Sequence, residues 1–274
     1  MLENILKPDW LEKKPRFAFL IGVIYSIIGI IAALIIFPSS QGIASIAFLS
    51  MLLIPSLGSL AKIEEIQDTH SNKFTLKKIF SDHSDILEIY FMLFLGIFLA
   101  YALFSIKFPN LLVSGVFDNQ LRVIGITVGQ AASGIGGAVG IGGVSFYSIF
   151  VNNLKILFIF FVLSLVFGAG SILFLAWNAS VWGVVFGYMA MHYTNAFDSF
   201  FGTFMKVAPH MFLEAGAYFF AIVAGCIMSQ AVLREKIGSK KFDYVLKDGF
   251  VFMTVSVVLL VLAALVETYI YTLL

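Results

Sequence analysis

The most apolar parts of this sequence contain a few side chains that are able to do acid–base or metal chemistry. In the stretch APHMFLEAG, from Ala208 to Gly216, Glu214 follows His210 by four residues. This spacing puts both side chains on one face of a helix. Near the start of a helix, the dipole favours an anionic carboxylate and a neutral imidazole. A second acid, Glu267, lies in VLAALVETYIYTLL, so the sequence predicts two acids and one imidazole within apolar surroundings.

Three asparagines accompany one long apolar run. Asn152 and Asn153 stand at its start, in VNNLKI, and Asn178 stands after it, in WNASVWG. An unpaired amide is costly in an apolar medium, whereas an amide at a helix end is able to satisfy free backbone groups. We therefore predict that Asn152 and Asn153 cap the outer end of a membrane helix. Asn178 is predicted to break and cap two helices on the cytoplasmic side.

These positions predict a buried polar cluster at one depth, near the outer surface of a membrane. Its expected members are Asn152, Asn153, His210, Glu214 and Glu267. Ionisable residues inside a membrane usually face the interior of the helix bundle, where they are paired or functional. The cluster fits three roles: hydrogen-bonded glue between helices, a solute or ion path lined by the two acids, or a metal or catalytic centre.

A metal or catalytic centre has the least support in the residue pattern. His and Glu at this spacing are both able to ligate zinc, but the HExxH pattern of zinc proteases does not occur. The single cysteine, Cys226, lies in an apolar run and is expected to pack there. We therefore predict no metal, no cofactor and no catalytic residue.

The composition indicates a protein dissolved in a bilayer. Of its 274 residues, 60% are hydrophobic and only 12% are charged, whereas soluble domains have about 25% charged residues. The formal net charge of +1 provides no strong field for nucleic acid. A membrane helix needs about 20 apolar residues, so we expect an all-α, polytopic transmembrane helix bundle with about seven membrane segments. These segments are Phe17–Phe37, Gln41–Leu60, Ile86–Ile106, Leu154–Ala176, Ala179–Met191, Pro209–Leu233 and Gly249–Leu273.

The basic residues give these segments an orientation in the cell membrane. Thirteen of the seventeen Lys and Arg residues fall in residues 1–16, 61–85 and 234–248. By the positive-inside rule these stretches are cytoplasmic, so the N-terminus is inside and residues 107–153 form an outer loop. The C-terminus is expected outside, provided that the short segment Ala179–Met191 crosses the membrane and does not re-enter.

Aromatic spacing predicts one further helix, in residues 194–208. Four phenylalanines recur there at helical spacing, opposite charged residues, as expected of an amphipathic helix lying in the membrane interface. An extension of the neighbouring span is the alternative. The phenylalanines are Phe197, Phe200, Phe201 and Phe204.

Glycine patterns predict close backbone packing in two places. The outer loop contains GQAASGIGGAVGIGG, residues 129–143, which matches neither common nucleotide-binding glycine motif. Close packing, or a loop that dips into the membrane, is expected there. Gly183 and Gly187 form a GxxxG pattern, which indicates a close helix contact. We treat residues 17–274 as one membrane domain that follows the cytoplasmic residues 1–16.

In its polar motifs the chain resembles the stage II sporulation protein M family. The family pattern has an Asn-Asn pair before a long span, an Asn turn after it, a Pro-His opening of a later helix with a following Glu, and a Glu near the end. Here these motifs read VNNLKI, WNASVWG, PHMFLEAGA and AALVET, and the resemblance covers roughly residues 85–274. Ala179 and Met211 stand where the family usually has glycine.

The resemblance implies a multi-span membrane protein without enzymatic activity of its own. The member that gives the family its name looks like a scaffold that localises cell-wall hydrolases at a remodelling membrane. We therefore expect a non-enzymatic scaffold that recruits membrane or envelope partner proteins and that is able to form homo-oligomers. The alternatives are a transporter or channel with a polar site at Glu214 and Glu267, and a metal-dependent intramembrane enzyme.

Overall fold

The computed structural model describes residues 14–68, 81, 83–108, 110–123, 146–168, 172–191 and 196–273. Within these ranges the regular structure is helical and contains no strand. In chain order the helices are α1 (Phe17–Ile36), α2 (Gln41–Asp68), α3 (Ser84–Lys107), α4 (Asn110–Val116), α5 (Asp118–Arg122), α6 (Phe146–Phe167), α7 (Ile172–Met191), α8 (Ala196–Arg234) and α9 (Lys240–Leu273).

Six of the described helices are long and apolar enough to cross a membrane. They are α1, α3, α6 and α7, together with Val207–Leu233 of α8 and Phe242–Thr268 of α9. Helix α2 adds a shorter apolar part, Gln41–Pro55. The predicted all-α, polytopic fold is confirmed.

Two prolines lie inside helices, where the sequence suggested a kink or a helix start. Helix α2 continues through Pro55 to Asp68, so the first residues of the predicted loop 61–85 are helical. Helix α8 likewise continues through Pro209. Both prolines are exposed. Pro55 follows the exposed Met51 by one turn, and Pro209 follows the exposed Met205 by one turn. The ring and the lost backbone hydrogen bond therefore lie on the outer surface, where a helix has room to bend.

The prediction that a helix begins at Pro209 is therefore wrong, since residues 196–208 belong to the same helix as the apolar span Val207–Leu233. Side-chain packing explains the continuity. The Phe204 ring lies 5.9 Å from the Phe98 ring and 5.9 Å from the Phe186 ring, so this part of α8 packs on α3 and α7. The alternative interpretation, an extension of the neighbouring span, is the one that the structure supports. The side chains of Phe197 and Phe200 lie outside the described residues.

Asn178 does not separate two helices. Helix α7 runs without interruption from Ile172 to Met191, so the prediction of a break at Asn178 is wrong. The preceding helix, α6, ends at Phe167, and the next residue, Gly168, has a φ of 55°, in the left-handed region that glycine adopts readily. The segment predicted as a short span, Ala179–Met191, is thus part of a 20-residue helix long enough to cross a membrane.

Glycines allow the closest helix contacts, as the GxxxG pattern indicated. A Cβ atom at Gly183 would lie 2.5 Å from the carbonyl oxygen of Phe98, and one at Gly187 would lie 2.6 Å from that of Ala102. Both contacts join α7 to α3, and the residue order shows that the two helices run in the same direction. The predicted close contact is confirmed, whereas residues 129–143 lie outside the described part of the chain.

The ends of the described helices fall into two groups. Arg16, just before α1, lies 3.8 Å from Glu88 near the start of α3. The His83 ring, which precedes α3, contacts the Phe252 ring in the first half of α9 at 5.0 Å. The starts of α1, α3 and α9 therefore lie on the same side of the bundle, here called the basic end. Their side of the membrane stays a prediction.

Residues 110–122 lie at the opposite end and are held there by a buried contact. Helices α4 and α5 occupy part of the predicted outer loop. The fully buried Gln120 donates a hydrogen bond of 3.1 Å from Nε2 to the carbonyl oxygen of Gly42, at the start of α2. This segment is therefore anchored to the bundle by its own side chains.

Candidate functional site

Helix α8 presents three polar side chains at successive turns. His210, Glu214 and Tyr218 are spaced by four residues, so they share one face of the helix. All three are buried, with 3%, 9% and 4% of their surfaces exposed. The Tyr218 hydroxyl donates a hydrogen bond of 2.6 Å to Oε1 of Glu214. This short bond is typical of a hydroxyl that donates to a carboxylate.

Glu267 joins this face from α9. The two helices are antiparallel, because Met228 lies against Gly249 and the Ser256 hydroxyl donates a 2.6 Å hydrogen bond to the Ala217 carbonyl. Extending that register brings Glu267 close to the level of His210. Side chains lean toward the start of their own helix, so the carboxylates of Glu214 and Glu267 lean toward each other.

His210 faces α7. Its ring lies 5.8 Å from the Trp182 ring, with the planes inclined by 63°. Its Nδ1 atom is buried and has no hydrogen-bond partner among the described residues. A buried polar atom without a partner costs free energy comparable to a lost hydrogen bond. The imidazole therefore has a donor or acceptor position available for a ligand or a water molecule.

Asn178 lies at the level of Glu214, inside α7 and six residues after its first residue, and not at the helix end where it was predicted. Helices α7 and α8 are antiparallel, since Trp182 contacts His210 and Phe186 contacts Phe204. Asn178 is one turn before Trp182 on α7, and Glu214 is one turn after His210 on α8. Because the helices are antiparallel, these two residues are at the same level. The Asn178 Nδ2 group donates a 3.0 Å hydrogen bond to the carbonyl oxygen of Phe174, inside the same helix. Its side chain carbonyl is thus free to accept from a neighbour at that level.

Asn152 and Asn153 lie inside α6 and do not cap it, because the helix begins at Phe146. Asn153 is buried, Asn152 is exposed, and a hydrogen bond of 3.4 Å joins their side chains. The Phe160 ring lies 4.9 Å from the Tyr218 ring. Counting back two turns from Phe160 on α6 and two turns from Tyr218 on α8 puts Asn153 at the level of His210 and Glu214. The structure therefore brings Asn153, but not the exposed Asn152, toward the polar face of α8.

The arrangement is rich in hydrogen-bond acceptors and contains no positive partner within the described residues. Glu214 and Glu267 contribute carboxylates, and no ion pair to either one occurs in the described part of the chain. The same part contains no group of three His, Cys, Asp or Glu side chains placed to hold a metal ion. The face is chemically suited to a proton or to a small cation with oxygen ligands.

Sequence reasoning missed two aromatic partners of this site. Tyr218 follows Glu214 at the same four-residue spacing that singled out His210, so helical spacing would have found it. Trp182 belongs to another helix, and no local pattern connects it to His210. Only the packing of α7 on α8 reveals that contact.

A second buried polar cluster was also missed, at the end of the bundle opposite the basic end. The Ser45 and Tyr101 hydroxyls are 2.8 Å apart, and Ser45 Oγ donates a 2.9 Å hydrogen bond to the Gly42 carbonyl. Gln120 donates to the same carbonyl. These residues join α2, α3 and α5. Single serines and glutamines carry no sequence signal for such a contact.

Comparison with known families identifies one match. The model of the family described as stage II sporulation protein M matches residues 128–270. That range contains all four motifs, from Asn152 to Glu267, on which the resemblance rests. Neither the curated proteins nor the solved structures provide a match to the chain.

Proposed function

The chain belongs to the stage II sporulation protein M family, and we propose that it is a non-enzymatic scaffold that recruits partner proteins in membrane or envelope remodelling. One observation supports this proposal: the starts of α1, α3 and α9, from distant parts of the chain, lie on the same side of the bundle, at the basic end. A scaffold needs such a surface outside the hydrocarbon layer, where water-soluble parts of a partner are able to bind.

The basic end offers exposed charged and aromatic side chains on a rigid base. Lys236 is exposed in the turn between α8 and α9, and Lys240 is exposed at the start of α9. Tyr244 has 40% of its surface exposed. About two turns beyond Tyr244 along α9, the rings of Phe220 and Phe252 stack with centroids 5.6 Å apart. Tyrosine on a rigid element provides contact area at low entropic cost. This combination supports partner binding at this end.

Site-specific photocrosslinking in native membranes tests the scaffold. A photoreactive amino acid is placed at Lys236 or Tyr244, and matched controls carry it at Ile24 or Leu262, which are exposed within apolar spans. We expect the basic-end positions to give the same discrete polypeptide adducts repeatedly, while the controls give lipid adducts. Identical adducts at all four positions, or lipid adducts alone, would contradict partner recruitment at this end.

A second candidate function, a transporter or channel, is favoured by the acid pair. Glu214 and Glu267 lie on two helices that pack against each other, within segments that are apolar enough to span a membrane. Acidic residues in such positions often mark ion paths. In liposomes, Glu214→Gln and Glu267→Gln should abolish cation or proton movement if this function holds. The scaffold predicts instead that these variants lower thermal stability in detergent and change no flux, and Glu88→Gln at the basic end is the control.

A further inference from the structure

Helix α6 has one side packed on the bundle and one side open. On the packed side, the Phe160 ring lies 4.9 Å from the Tyr218 ring of α8. The buried side chains of α6 recur at helical spacing along this face. They are Ile149, Asn153, Leu157, Phe160 and Ser164. Only 28% of the residues in the most apolar stretch of α6 are buried, so its other side is open within the described bundle.

The open side carries a stripe of exposed residues, here called the α6 stripe. Its members are Asn152, Lys155, Ile159 and Val166, which follow one another at intervals of three, four and seven residues. With 3.6 residues per turn, these positions share one side of the helix, away from α8. The same intervals separate the contact positions of two paired helices in a coiled coil. The α6 stripe is therefore suited to pack against one further helix.

Lys155 makes the α6 stripe unfavourable as a surface facing lipid. It is the tenth of the 22 residues of α6, so about 14 Å of helix precedes it and about 18 Å follows it. A lysine near the end of a span extends its ammonium group to the interface, whereas a charge in the middle of a span usually has a partner. No ion pair to Lys155 occurs in the part of the chain that the structure describes.

Asn152 adds a second polar group one turn from Lys155. Its Nδ2 group donates a long hydrogen bond of 3.4 Å to Oδ1 of the buried Asn153, yet Asn152 itself is exposed. Asparagine side chains form hydrogen bonds between membrane helices. One asparagine or lysine in an otherwise apolar helix contact also fixes the register of the two helices. The two polar residues therefore favour a partner helix at a defined depth.

We propose that the α6 stripe binds a transmembrane helix of another protein, and that this helix carries a carboxylate side chain at the depth of Lys155. Charge complementarity specifies the partner's chemistry, because an ion pair removes an uncompensated ammonium group from lipid. A second copy of this chain, bound symmetrically through the same stripe, would instead bring two Lys155 side chains together, and like charges repel. The contact lies within the membrane, so it goes beyond partner binding at the basic end.

Energy transfer in liposomes tests this contact with a defined probe. The purified full chain carries a donor dye at Lys236→Cys, which is exposed in the turn between α8 and α9. The probe is a leucine-rich peptide of about 20 residues with an acceptor dye and one central glutamate. An otherwise identical peptide with a central glutamine is the control. At mildly alkaline pH, where the glutamate is ionised, we expect the glutamate peptide to bind about tenfold more tightly than the glutamine peptide.

Variants assign this preference to the α6 stripe. Lys155→Gln should abolish the preference for the glutamate peptide, and Lys155→Arg should retain it because the charge remains. Lys107→Gln is the matched control, since Lys107 is exposed at the end of α3, and it should also retain the preference. Ile159→Trp should weaken the binding of both peptides to the same extent, because it obstructs the stripe and leaves the charge in place. All these side chains are exposed, so the variants are expected to fold.

Three results would overturn the proposal. The first is equal binding of the two peptides to the wild-type chain, and the second is a preference that persists in Lys155→Gln. The third is energy transfer between donor-labelled and acceptor-labelled copies of the chain that is lost in Lys155→Gln, because a second copy would then occupy the stripe. Photocrosslinking at the basic end is a separate measurement, so failure of this contact and failure of the scaffold give distinguishable results.

Discussion

Tyr218 donates a 2.6 Å hydrogen bond to Glu214 from the next turn of α8, and both side chains are buried. The Tyr218 ring also packs edge-on against Phe160 of α6, with ring centroids 4.9 Å apart. One residue therefore fixes the acid and joins two helices. A substitution that removes only the hydroxyl therefore tests the contact with Glu214 and leaves the ring contact with Phe160 in place.

Replacing Tyr218 by Phe should lower the free energy of unfolding by about 1.5–3 kcal/mol, the usual range for a hydrogen bond to a charged group. The ring contact with Phe160 remains, so the loss reports the hydroxyl alone. Chemical unfolding in detergent measures the change, and Tyr147→Phe is the control because Tyr147 is 73% exposed. Equal losses in the two variants would show that the Glu214 contact contributes nothing specific.

Replacing Gln120 by Ala should destabilise the attachment of α5 to the bundle. Gln120 is fully buried and donates to the Gly42 carbonyl, so the change removes both a hydrogen bond and packing, at a cost of about 1–3 kcal/mol. Arg122→Ala provides the comparison. Its exposed ion pair with Asp118 should contribute at most about 1 kcal/mol. Limited proteolysis and thermal unfolding measure both effects, and an Arg122 effect larger than the Gln120 effect would contradict this account.

The sequence predicted the fold class because hydropathy and length report directly on membrane helices. Segment boundaries were predicted less well where a residue with a strong local preference met tertiary packing. Pro209 favours a helix start, but Phe204 packs on α3 and α7 and extends the helix through it. Asn178 favours a turn, but its amide bonds back to the Phe174 carbonyl and leaves α7 intact.

The site was predicted in part for a similar reason. His210 and Glu214 share a helix, so their spacing placed them on one face. The depth of Glu267 followed from counting along its own helix. Contacts between helices have no such local signal, which is why Trp182 was missed. The expected contact among all five cluster residues stays a prediction, and Asn152 is exposed.

Alanine at Gly183 or Gly187 should loosen the packing of α7 on α3. The new Cβ would lie 2.5 or 2.6 Å from a carbonyl oxygen of α3, so the helices must move apart, at a cost of about 1–3 kcal/mol. Gly202→Ala is the matched control, because a Cβ there meets nothing within 4 Å. It should leave stability unchanged or raise it slightly, since alanine favours helix. Comparable destabilisation by all three changes would contradict a role for close α3–α7 contact.

Cysteine labelling tests the predicted orientation of the bundle. Lys236→Cys lies at the basic end, and Val123→Cys lies after α5 at the opposite end, where Val123 is 58% exposed. The native Cys226 is buried and should contribute little background. If the basic end is cytoplasmic, a membrane-impermeant maleimide added to intact cells should label position 123 at once. Position 236 should react only after the membrane is opened. The reverse pattern would invert the orientation, because the two ends are fixed relative to each other by the packing of α3 with α1 and α7. Partner recruitment would then have to occur on the outer side, and the acid pair would lie nearer the cytoplasm.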